Sequence, residues 1–104
     1  DWQGARQIKA MNPKVISVFI LPPSVEALSE RLIGRGKDSN EIIDARMRQA
    51  VSEMSHYREF DYVIVNDDFH LALRDLISIV NSQTLTLGNQ SARHSELLKQ
   101  LLAP

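Results

Sequence analysis

Apolar positions fall along this chain in two rhythms that alternate. Two short runs, residues 15–21 and Tyr62–Val65, are β-branched and nearly continuous in apolar character. Such runs fit strands buried on both faces, as in a parallel sheet. Around them the apolar residues recur with helical spacing. Ala5 and Ile8 share a face of a short helix over about 5–11, which Asn12-Pro13 stops because the residue before proline is pushed out of the helical region. Asp1-Trp2-Gln3-Gly4 reads as a strand end or turn ahead of it. Val25, Leu28 and Leu32 predict a helix over about 25–33, with Ser24 as N-cap and Glu26 in the first turn. Ile42, Ile43, Met47, Ala50, Val51 and Met54 predict another over about 41–57, and Phe60-Asp61 a turn. The clearest stripe is Phe69, Ala72, Leu73, Leu76, Ile77 and Val80, with an aspartate of Asn66-Asp67-Asp68 expected to cap it. Gly88-Asn89 is expected to break the chain before a terminal helix over about 91–102.

The order is helix, strand, helix, loop, helix, strand, helix, helix. Strands alternating with helices imply an α/β fold with parallel pairing and right-handed crossovers. Ligands in such sheets sit beyond the carboxyl ends of the strands. Asn66-Asp67 lies at one such end and Pro22-Pro23 at the other.

Between the second and third helices lies Gly34-Arg35-Gly36-Lys37-Asp38-Ser39-Asn40. Its glycines frame Arg35, and Arg31, Arg46 and Arg48 flank it. Arginine binds phosphate oxygens through a planar fork, so a hinged loop of this kind can carry cations onto an anionic ligand. Taken alone it reads first as a solvated polar turn. Asp38-x-x-Glu41 has capping-box spacing, and Ser39 competes for the N-cap.

Composition narrows the field further. At 104 residues the chain holds one domain at most; 43% is hydrophobic, 24% charged, and the net charge is −1. Near-neutral charge argues against a nucleic-acid binder using a broad basic face. Cysteine is absent, which removes disulfides and thiolate metal sites and fits a cytoplasmic protein. The longest apolar run is too short to span a bilayer. His56, His70 and His94 show no metal-ligand spacing and read as surface residues. The glycines, at 4, 34, 36 and 88, leave no G-x-x-x-x-G-K-[ST] loop. The first residues, without an initiator Met, read as the middle of a longer protein. Asp1 could hold Mg²⁺ or a base edge; Asn66 and Asp67 could bind a ligand or cap a helix.

Taken together, Asp1-Trp2-Gln3-Gly4-Ala5, Arg31-Leu32-x-Gly34-Arg35-Gly36, Arg46 and Val63-Ile64-Val65-Asn66-Asp67-Asp68 resemble the C-terminal half of a bacterial guanylate kinase, over essentially the whole chain. The tail Arg93-His94-x-x-Leu97-Leu98 is similar too. The resemblance implies part of a P-loop nucleoside monophosphate kinase core, a parallel sheet flanked by helices, with a helical lid centred on 34–40. It implies ATP-dependent phosphorylation of GMP with Mg²⁺, in the cytoplasm, without nucleic-acid or membrane partners. Arg35 and Arg46 resemble the catalytic arginines that embrace the transferring phosphates, Arg31 the lid arginine near ATP, Asn66 and Asp67 the loop lining the adenine site, and Asp1 an acidic residue approaching GMP. The P-loop and the GMP-binding domain are absent from these residues, so activity is expected of the parent enzyme and not of this piece alone. The retained arginines favour an enzyme over a guanylate-kinase-like protein-interaction module. The strand that would pair with residues 15–21 is also missing, so an ordered structure implies a longer chain or a homo-oligomer covering that edge.

Overall fold

A computed structural model describes residues 1–34 and 38–104. Arg35, expected at the centre of the lid, lies outside the described residues. The chain divides into two compact units, Asp1–Phe69 and His70–Pro104.

The first unit begins with α1 (Trp2–Met11). Residues 1–4 are therefore not a strand end or turn. The Asp1 carboxylate accepts the Gln3 N–H at 2.9 Å and its carbonyl accepts from Ala5 N, which starts the helix three residues before the apolar pattern does. Asn12, at φ −142, closes it ahead of Pro13 as expected. Strand β1 (Val18–Leu21) is shorter than the apolar run. The missing residues spend their backbone groups elsewhere: Val15 N bonds to Asn12 O, Val15 O accepts from Lys9 Nζ at 3.0 Å, and Ser17 O accepts from both Asp61 N and Tyr62 N.

Helix α2 (Val25–Ile33) keeps its expected bounds, with the Ser24 hydroxyl accepting from Ala27 N at 3.0 Å. Gly34 closes it at φ 58, a left-handed value that glycine reaches without Cβ strain. Helix α3 (Asn40–Met54) is capped by Ser39, whose hydroxyl accepts from Ile42 N. Ser39 therefore takes the cap that Asp38 also competed for. The helix stops short of Tyr57 because the chain tightens, with His56 N bonding to Glu53 O and the Ser55 hydroxyl to Ser52 O. One 3₁₀ turn (Tyr57–Glu59) leads into β2 (Tyr62–Val65).

Strands β1 and β2 pair in parallel, Val18 opposite Tyr62 through Leu21 opposite Val65. Burial on both faces is not continuous. Phe19 and Ile64 are 9% and 3% exposed, while their register partners Val63 and Ile20 are 44% and 57% exposed. A two-stranded ribbon is too narrow for helices to cover each face across both strands. Phe19 meets Phe60 edge-on at 4.8 Å.

Two polar clusters bind α1 to the rest of the unit. In one, the Trp2 N–H donates to Glu53 Oε1 at 2.8 Å, and the Trp2 ring stacks on His56 with centroids 3.6 Å apart. Arg6 lies over the same indole and bonds Glu59 Oε1, while His56 Nδ1 meets Glu59 Oε2 at 2.6 Å. His56 is thus half-buried and not a plain surface residue. These bonds, that to His56 first, hold the Glu59 carboxyl below its ordinary range. In the other cluster, Asp61 Oδ2 accepts from Lys9 Nζ, from Ser17 N at 2.9 Å and from the Ser17 hydroxyl at 3.1 Å.

The second unit continues α4 (Phe69–Gln83), whose bounds enclose the clearest stripe in the sequence. Gly88-Asn89 does not break the chain. Both residues lie in the first turn of α5 (Leu87–Arg93), where the Thr86 hydroxyl caps Asn89 N at 3.2 Å. His94, at φ −109 and ψ 29, separates α5 from α6 (Ser95–Leu101), so the expected single terminal helix is two. No helix among the described residues is long and apolar enough to cross a membrane.

Two stability predictions follow from these contacts. With only Phe19 and Ile64 buried among its described apolar residues, residues 1–104 purified alone should self-associate and melt without a sharp transition. A monodisperse monomer in sedimentation with a cooperative denaturation curve would refute this. The bond from Lys9, then those from Ser17, depress the Asp61 pKa on folding. Its stabilisation is therefore fully present above the unfolded value, about 4, and is lost as pH falls through the lower folded value. Asp61→Ala in the complete protein should cost about 1–3 kcal/mol at pH 7. Denaturant titrations should show the gap between wild type and variant closing below pH 4.

Candidate functional site

The carboxyl ends of β1 and β2 lie side by side, and Asn66 N extends their ladder by bonding Leu21 O at 2.8 Å. This fixes the backbone of Asn66 and leaves its carbonyl facing the last turn of α2. From that turn Arg31 reaches across, its Nη2 lying 3.5 Å from Asn66 O. Two residues far apart in sequence, both expected near ATP, are thus adjacent. Asp67 follows Asn66 in the exposed turn before α4.

Arg46 sits near the middle of α3. Its Nη1 donates to Asp38 Oδ2 at 2.6 Å and approaches the Leu32 carbonyl at 3.4 Å, so the side chain crosses to the end of α2. It remains half exposed, at 47%. The same side chain lines an open cleft of ≈ 750 Å³ whose wall includes Asp1, Trp2, Leu32 and Glu53. Asp1, expected on the acceptor side, and Arg46, expected at the phosphates, are therefore brought to one cleft. One Asp1 oxygen is already engaged as the α1 cap.

Gln49 and Glu53, which the sequence reading passed over, complete this wall. Arg46, Gln49, Ala50 and Glu53 stand at i, i+3, i+4 and i+7, one face of α3. That spacing was visible, but the reading took Ala50 only as part of the apolar stripe through Met47 and Met54 and did not follow the polar positions beside it. Asp38, taken as a capping candidate, is an ion-pair partner instead. Arg48 is exposed. Among the described residues no group of three or more His, Cys, Asp or Glu could hold a metal ion.

Comparison with known proteins adds to this geometry. The guanylate kinase family model matches residues 1–83. The guanylate kinase of Shewanella oneidensis is 58% identical over 103 residues, which are 99% of this chain and 50% of that protein. That of Pseudomonas syringae pv. tomato is 59% identical over 103 residues, 99% of this chain and 48% of that protein. The crystal structure of guanylate kinase from Anaplasma phagocytophilum matches with a TM-score of 0.68 at 31% identity, covering 89% of this chain and 47% of that one. This chain spans about half the length of the relatives it matches. With a parallel α/β fold, Arg31 at the carboxyl ends of the strands and a family match across most of its length, the chain belongs to the guanylate kinase family.

Proposed function

We propose that the chain is the C-terminal, lid-bearing part of a guanylate kinase, and that the complete protein transfers the terminal phosphoryl group of ATP to GMP, giving ADP and GDP. The observation that carries the reading is the cleft shared by Arg46 and Asp1, two residues that the apolar pattern does not connect. The relatives named above bear the enzyme's name, and nothing in the site favours a non-catalytic interaction module.

In this reading residues 34–40 form the centre of the lid, with α2 and α3 as its flanks. A phosphoryl-transfer transition state spreads negative charge over peripheral oxygens, so positioned cations supply much of the catalysis. Arg46 meets that charge from α3, and Arg35 meets it from the lid. Arg31 serves the ATP side. Asn66 and Asp67 line the adenine, with Asn66 oriented by its backbone bond to Leu21. Asp1 faces GMP through the carboxylate oxygen not engaged in capping α1. Closure of the lid excludes water that would otherwise hydrolyse ATP.

Mg²⁺ belongs to the reaction through ATP. It keeps several waters and takes one or two carboxylates besides the substrate phosphates, so the lack of an acidic cage among the described residues does not oppose it. No step assigned to this chain passes through the ion. In this reading the complete protein acts in the cytoplasm, with no nucleic-acid or membrane partner.

Turnover of GMP and ATP by the complete protein tests the assignment directly. Arg35→Ala and Arg46→Ala should each lower kcat by about 10²-fold or more, the loss typical of removing one electrostatic stabiliser. Near-normal kcat in both would overturn the roles given to them. Asn66→Ala should raise KM for ATP and leave KM for GMP nearly unchanged. Because the bonds to Leu21 and Arg31 use backbone atoms of Asn66, its thermal stability should barely move. Lower stability with unaltered ATP affinity would mean that the side chain serves only the fold.

A further inference from the structure

We propose that Asp38 is a built-in anionic placeholder for Arg46, holding the guanidinium while the site is empty and yielding it to the phosphate of an arriving nucleotide. The inference rests on the phosphate role proposed above for Arg46. Three observations support it.

First, the carboxylate is not needed to start α3. Ser39 supplies the cap, and Asp38 Oδ2 instead takes Arg46 Nη1 at 2.6 Å. Second, Arg46 lines the ≈ 750 Å³ cleft whereas Asp38 is not among its lining residues. Arg46 is thus shared between the cleft and a carboxylate that does not line it. Third, both side chains are well exposed, at 47% and 36%. An exposed pair of this kind shifts an equilibrium by a factor of only about 1.4–5. The contact joins Nη1 to Oδ2, one point of the fork, whereas a phosphate group can engage the fork at two points and carries more charge.

Held this way, Arg46 keeps a position near the end of α2, reinforced by the Leu32 carbonyl at 3.4 Å. An incoming anion must outbid Asp38 to reach it. A single-atom anion such as chloride gains little by the exchange, while a nucleotide phosphate gains the second hydrogen bond. Asp38 is in this sense a positioning residue that also sets a threshold for which anions the site accepts.

The test is a double-mutant cycle in the complete protein, reading Kd for ATP and for GMP by calorimetry at 0.15 M salt. Asp38→Asn keeps the shape of the side chain and removes its charge. It should tighten binding of at least one nucleotide by about 2–5-fold, the size of an exposed ion pair. In the Arg46→Ala background the same substitution should leave that Kd unchanged. If Asp38→Asn fails to tighten either nucleotide while Arg46→Ala weakens binding, the placeholder is wrong and the role of Arg46 stands. Equal tightening with and without Arg46 would reduce Asp38 to a general repulsive charge and also overturn the proposal. If Arg46→Ala alters neither Kd nor kcat, the phosphate role fails and the placeholder with it.

Discussion

The first unit depends on a single carboxylate at the amino end of its sheet. Parallel strands cannot be joined by a tight turn, so nothing local sets how β1 and β2 line up. Asp61, just ahead of β2, does so by gripping Ser17, just ahead of β1, through its backbone N–H and its hydroxyl. The Asp61 N–H returns to the Ser17 carbonyl. Lys9 then ties the same carboxylate to α1. One side chain thereby fixes strand register and docks the first helix. The rest of the unit, including the placement of Asn66 beside Leu21, inherits that alignment.

Much of this fold was legible from apolar spacing alone. The bounds of α2 and β2 and the stripe within α4 follow from residues whose side chains set the local pattern, such as Val25, Leu28 and Leu32. What was not legible was where polar atoms commit themselves. Asp1 starts α1 by accepting a backbone N–H, which no hydrophobic period can reveal. Residues 15–17 looked like strand but give their backbone groups to Asn12, Lys9, Asp61 and Tyr62. Gly88 looked like a breaker, yet a glycine in the first turn of a helix capped by Thr86 interrupts little.

The candidate site divides in the same way. Arginine content and family resemblance named Arg31, Arg46, Asn66 and Asp1. The distances then grouped them in two places, Arg31 with the Asn66 carbonyl and Arg46 with Asp1 along one cleft. The partners of Glu53 and Asp38 escaped the reading because an acidic residue on a helix flank has the same appearance whether it meets solvent, a backbone amide or a guanidinium. Only the path of the chain distinguishes these.

Asp61 and Asn66 bracket the four-residue strand β2, one at each end. At about 3.3 Å per residue they stand roughly 16 Å apart along the strand. Charge is screened in about 8 Å at physiological salt. The carboxylate that aligns the sheet would therefore respond little to an anion placed at the other end. The two ends share a backbone but not a field, which lets the chemistry at one be retuned without loosening the joint at the other.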